Sequence, residues 1–150
     1  EWSLHLVGKD FEDDYAKKVK RTIVELGLSS CVFIYGSRTD SDAIIKQSAI
    51  GVLSSESEGL PLALLEYGLH ALPVVTTNVG DCERVIQNEI TGLLVPSKSE
   101  IALSEALVTL IQNESLRLQY ANNLHSHINT HFSEEAVISQ LVSIYNRSLS

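Results

Sequence analysis

The chain has 150 residues, 44% hydrophobic and 20% charged, a composition that suits one globular domain with a buried core and excludes intrinsic disorder. Eleven Lys and Arg against nineteen Asp and Glu leave a net charge of −8, so neither a basic nucleic-acid face nor affinity for an anionic membrane is expected. The longest apolar runs, such as residues 60–65, are too short to cross a bilayer, and no signal peptide is visible.

Short apolar runs alternate with helical periodicity along the chain. Trp2 to Val7 reads as a strand broken by Gly8. Phe11 to Leu26 reads as a helix with Tyr15, Val19, Ile23 and Leu26 on one face and Gly27 as its stop. Cys31 to Tyr35 is a second strand ended by Gly36, Asp42 to Ser48 a short helix, and Ile50 to Ser54 a third strand. Pro61 opens a helix to about Ala71 from its first turn. Pro73 to Thr76 is a fourth strand, Asp81 to Gln87 a helix and Gly92 to Val95 a fifth strand. Beyond Pro96 the pattern is helical: Ser99 to Gln112, Glu114 to about His131, and a last helix capped by Ser133. The last helix gathers Val137, Leu141, Ile144 and Tyr145 on one face, for packing on its own sheet or on a domain outside this chain.

Nearly all-apolar strands alternating with helices imply a parallel sheet covered on both faces, a Rossmann-like three-layer α/β/α fold with extra C-terminal helices. Ligands of such sheets bind at the carboxyl ends of the strands, here the loops after Val7, Tyr35, Ser54 and Thr76. Cys31 and Cys82 match no metal or redox spacing and read as buried free thiols in a reducing cytosol. The chain opens on Glu1 and contains no Met, so it is expected to be a piece of a longer protein.

The segment from Ser54 to Glu66 is the informative one. Gly59 allows close backbone approach, and Pro61 starts a helix whose next N–H groups, on Leu62, Ala63 and Leu64, lack intrahelical acceptors. At the carboxyl edge of a sheet this makes an anion site suited to a phosphate or diphosphate. Glu66, among Leu62, Leu64, Leu65 and Leu69, is expected in apolar surroundings, where a ribose diol could satisfy its carboxylate. Glu58, just before the helix, would reach beyond the phosphates. The plainer reading makes Glu58 a charge near a helix N-terminus and Glu66 an exposed or lysine-paired surface group.

Taken together, the motifs resemble the C-terminal domain of group 1 retaining glycosyltransferases of GT-B fold. Val7-Gly8, then Val32 to Gly36, then Glu58 and Glu66 as an E-x7-E pair, then Leu72 to Val75 with Thr77, Val79 and Gly80, then Thr91 to Pro96 occur in the family's order. The resemblance implies that Glu58 contacts the donor sugar as the catalytic glutamate. It implies that the backbone at Gly59, Leu60, Leu62 and Ala63 meets sugar and diphosphate, and that Glu66 binds the ribose hydroxyls. Gly8, Gly36 and Arg38 would flank the base and diphosphate. Ala71 stands where the family usually has glycine, and Asp81 where a second glycine often follows Gly80.

The same resemblance implies a basic pair, a first strand and an acceptor domain lying before this chain, which alone would be inactive. Without that strand, five parallel strands are expected to close in the order 2-1-3-4-5, with a swapped dimer as the competing outcome. The donor would be a nucleotide-diphosphate sugar, UDP-linked by preference, with no metal and no separate cofactor. The location expected is cytoplasmic, at most peripheral to a membrane in the intact protein.

Two rivals stand beside this reading. A glycoside hydrolase would need its carboxylates about 5–9.5 Å apart, closer than one group at a sugar and one at a ribose. A non-catalytic Rossmann-like module binding a nucleotide or a partner is the alternative of a different class. His127 and His131 share a helix face but lack a third ligand, His70 follows Glu66 by one turn, and Lys9 and Arg38 could hold phosphate or be solvated. No P-loop, dinucleotide fingerprint or nucleophile elbow is present.

Overall fold

The structure, a computed structural model, describes residues 2–148. Contacts divide the chain into two units, Glu1–Ala43 and Ile44–Ser150.

In the first unit, β1 (Leu4–Val7) pairs in parallel with β2 (Val32–Gly36), placing Leu4 opposite Val32 and Leu6 opposite Ile34. Between them lies α1 (Asp14–Glu25), where Asp13 caps the start by accepting from the Ala16 N–H at 2.8 Å. At its end Gly27 N–H donates to Val24 O and Leu28 N–H to Ile23 O, the paired bonds of a Schellman stop. None of α1 is buried. The next helix, α2 (Ser41–Gln47), contains the division between the units.

The second unit is built on β3 (Gly51–Leu53), β4 (Val74–Thr77) and β5 (Leu93–Val95), all parallel, with β4 in the middle. The crossovers are α3 (Leu62–Leu69) and α4 (Cys82–Val85), followed by α5 (Glu100–Gln112), α6 (Glu114–His131) and α7 (Glu134–Ser148). All four residues of β4 are buried, as expected of a strand covered on both faces. Val74 packs with Leu64 of α3, Val85 and Ile86 at α4, and Leu124 and Ile128 of α6. Val75 packs on the other side with Val95, Leu110 of α5 and Tyr120 of α6. Helix α3 lies close against α6 at Gly68, where an added Cβ would stand 2.3 Å from Ile128 Cγ1.

Three expectations need correction. Among the described residues the strands form a two-stranded and a three-stranded sheet rather than one sheet of five, and within each the expected neighbours, 2-1 and 3-4-5, are kept. A three-residue strand such as β3 gains few ladder bonds per edge, and β3 makes its ladder with β4. The apolar stripe of α7 does not pack on its own sheet. Val137, Leu141, Ile144 and Tyr145 are all exposed, because α3, α4, α5 and α6 already cover both faces of β4. Finally, only Cys82 is a buried thiol; Cys31 is half-buried, its Sγ 3.5 Å from Leu28 O.

Candidate functional site

The loop from Ser54 to Pro61 leaves the carboxyl end of β3 and enters α3. It is fixed from the neighbouring loop after β4. Thr77 Oγ1 donates to Ser55 O at 2.6 Å, and Asp81 N–H donates to Gly59 O at 3.2 Å. Gly80 has φ +52, and a Cβ there would stand 1.8 Å from Glu58 O, so glycine is required both by conformation and by space. Lys98, after β5, adds an ion pair to Glu56 at 3.1 Å.

Within this loop Glu58 is half-buried, and its Oε1 accepts a hydrogen bond from Ser55 Oγ at 2.6 Å. Gly59 and Leu60 are exposed, and a methyl group at Gly59 would meet nothing within 4 Å, so the backbone there faces open space.

Pro61 is the N-cap of α3, with extended backbone at φ −76 and ψ 97, so the helix begins at Leu62, one position later than expected. This changes the set of free donors. Leu64 N–H is taken by Pro61 O at 3.1 Å, while among the described residues the N–H groups of Leu62 and Ala63 have no acceptor. Two backbone donors therefore remain at the positive end of the helix.

Glu66 is exposed rather than set in apolar surroundings. Helix α3 turns Leu64 and Gly68 inward, one turn apart. Leu62, Glu66 and Leu69, also one turn apart, form the outward stripe, with Leu62 65% exposed. The Glu66 carboxylate thus lies on the solvent face of the helix that carries the two free N–H groups.

The remaining sites of the sequence reading lie in the first unit. Gly8 N–H donates to Gly36 O at 3.0 Å, so the two glycine turns meet. Arg38 donates to both carboxylate oxygens of Asp40, each at 2.8 Å, and these bonds hold the Asp40 carboxyl below its ordinary value. Any phosphate held by Arg38 must compete with that fork. Lys9 lies over the Phe11 ring, 5.0 Å from its centre. His127 and His131 face each other at 4.7 Å between ring centres, and the described residues include no cluster of three metal-ligating side chains.

Sequence reasoning missed Ser55 as the partner of Glu58 and the hydroxyl of Thr77 as a loop tether. It also missed Ser97, just past β5, whose Oγ is buried without a partner. A cavity of about 280 Å³ at the amino end of β4, lined by His70, Pro73, Glu114 and Arg117 among others, contains neither Glu58 nor Glu66. No described helix is long and apolar enough to cross a membrane.

The chain is similar to known proteins over most of its length. Residues 1–113 match the family model for glycosyl transferases group 1. The N,N'-diacetylbacillosaminyl-diphospho-undecaprenol alpha-1,3-N-acetylgalactosaminyltransferase of Campylobacter jejuni is 29% identical over 119 residues, covering 79% of this chain and 31% of that protein. The first three curated relatives are each spanned over only 30% to 43% of their own length. Among solved structures, Anabaena HepE in complex with UDP superposes with a TM-score of 0.90 at 22% identity, over 97% of this chain and 41% of that one. The C-terminal domain of a glycosyl transferase group 1 family protein from Francisella tularensis gives a TM-score of 0.80 at 25% identity, over 89% of this chain and 71% of that one.

Proposed function

Since the chain belongs to the group 1 glycosyltransferases, we propose that it is the donor-binding half of a retaining enzyme that moves a sugar from a nucleoside-diphosphate sugar to an acceptor. One observation carries this reading. The free N–H groups of Leu62 and Ala63, the half-buried Glu58 and the outward Glu66 are gathered on one loop and helix at the carboxyl edge of a parallel sheet.

The parts have distinct tasks. As the glycosidic bond breaks, charge grows on the departing diphosphate, and the two amides at the positive end of α3 would stabilise it more than they stabilise the intact donor. Glu58 would hold the sugar and favour positive charge at the anomeric carbon. Glu66, standing in solvent until a ligand arrives, would accept from a pair of ribose hydroxyls without first breaking an internal bond. Acceptor choice would rest with the acceptor domain that the resemblance implies.

Calorimetric titration of the full-length protein with UDP, GDP, ADP and their sugar conjugates tests the reading; UDP is first because it is what the Anabaena neighbour holds. One nucleotide should bind, and Glu66→Ala should weaken it roughly tenfold, the worth of a hydrogen-bonded carboxylate. Unchanged binding in Glu66→Ala would make that carboxylate a surface group with no part in the site.

A further inference from the structure

The bonds around Glu58 run in a chain that ends outside its own loop. Ser55 Oγ donates to Glu58 Oε1 at 2.6 Å, and Ser55 O accepts from the buried Thr77 hydroxyl at 2.6 Å. Gly80, pressed against Glu58 O, and Asp81 N–H, bonded to Gly59 O at 3.2 Å, close the other side of the loop. A glutamate has three side-chain torsions, and a free one would sample many positions. Here one oxygen is held by a short hydroxyl bond, while Oε2 has no hydrogen-bond partner among the described residues and the residue is only half-buried.

We propose that Ser55 is a positioning residue for Glu58, fixing the carboxylate so that its second oxygen meets the donor sugar, and that Thr77 and Gly80 hold the loop in which it does so. This rests on the donor-site reading of Glu58. It makes a specific demand: Ser55 acts on the sugar, not on the nucleotide. The N–H groups assigned to the diphosphate lie on Leu62 and Ala63, beyond Pro61 and outside the bonds that Ser55 makes. A merely structural serine would weaken nucleotide and nucleotide sugar alike.

The test compares affinities in the full-length protein for UDP, GDP, ADP and dTDP, each beside its glucose conjugate, and carries forward the pair that the unaltered protein binds. In Ser55→Ala the nucleotide-sugar affinity should fall roughly tenfold while that of the free nucleoside diphosphate holds, and Ser55→Thr, which keeps the hydroxyl, should restore the ratio. If Ser55→Ala does not fold, Thr77→Val, which removes only the tether to Ser55 O, should shift the same ratio in the same direction. Equal loss of both ligands, or no rescue by Ser55→Thr, overturns the positioning role. Glu58→Ala separates the two levels. A ratio that moves in Glu58→Ala but not in Ser55→Ala overturns the Ser55 assignment and leaves the site standing. A ratio unmoved in Glu58→Ala, or a protein that binds none of the eight compounds, overturns the site itself and the Ser55 assignment with it.

Discussion

Ala71 sits just after α3 with φ +50, in the left-handed region that side chains with a Cβ enter at a cost. The strain is imposed from both sides. The Ala71 N–H donates to Gly68 O at 3.1 Å, and the Leu72 N–H returns to Tyr67 O at 2.9 Å, closing the helix before β4 begins. Glycine pays no steric penalty there but loses more freedom on folding, an offset of about 0.5–1 kcal/mol against a strain of roughly 1–2 kcal/mol. Ala71→Gly should therefore stabilise the fold by about 0.5–1 kcal/mol, raising Tm by about 2 °C. Thermal unfolding of the two proteins side by side checks it, and a fall in Tm would mean that the turn relaxes when alanine leaves. Asp81, the other departure from the glycines of the resemblance, is at φ −88, where no glycine is needed, and its carboxylate pairs with Arg84 at 2.7 Å. The two departures look alike in sequence and differ in energy.

Helix α3 shows how one element divides its surface between a packed face and an open one. Leu64 and Gly68 face α6, and Leu62, Glu66 and Leu69 face solvent. Alanine is normally favoured over glycine inside a helix by about 1 kcal/mol. At Gly68 the packing overrides that preference, because a Cβ would lie 2.3 Å from Ile128 Cγ1 and 3.1 Å from Leu124 Cγ, both on buried side chains. Gly68→Ala should destabilise by about 1–3 kcal/mol, the range for overpacking a closed core. Ile128→Ala placed beside it should cost less than the sum of the two single changes, since it vacates the space the new methyl needs. Denaturant titration of the four proteins gives that coupling, and strict additivity would place the damage elsewhere than this contact. The existence of α3 and the free N–H groups at its start were legible in Pro61 and the leucines that follow. The exposure of Glu66 was not: leucines stand on both faces of this helix, and the choice between them is made by α6, more than fifty residues further on. The clasp on Glu58 was hidden for a similar reason, since Thr77 and Ser55 are 22 positions apart and no local pattern links them.

At the scale of the molecule, each strand could be recognised from its own apolar run, but closure into one sheet is a property of pairs that no run displays. The same difference separates the two units energetically. Val74, Val75 and Thr76 of β4 are fully buried, while no described residue of the first unit is, and Phe33, Ile34 and Tyr35 of β2 are each about 40% exposed. Both units hold parallel ladders, so hydrogen bonding alone would protect their strands alike. Burial of apolar area is what differs, and it sets the free energy of local opening. Native-state hydrogen exchange on this 150-residue chain should therefore find the amides of β1 and β2 exchanging at least roughly 100-fold faster than those of β4, a gap of about 2.7 kcal/mol. The measurement should be made at two protein concentrations well apart. Equal protection of β2 and β4 that persists on dilution would mean that the ladder, not burial, governs stability here. Equal protection that disappears on dilution would mean that the exposed aromatic face of β2 is covered in solution by a second copy of the chain.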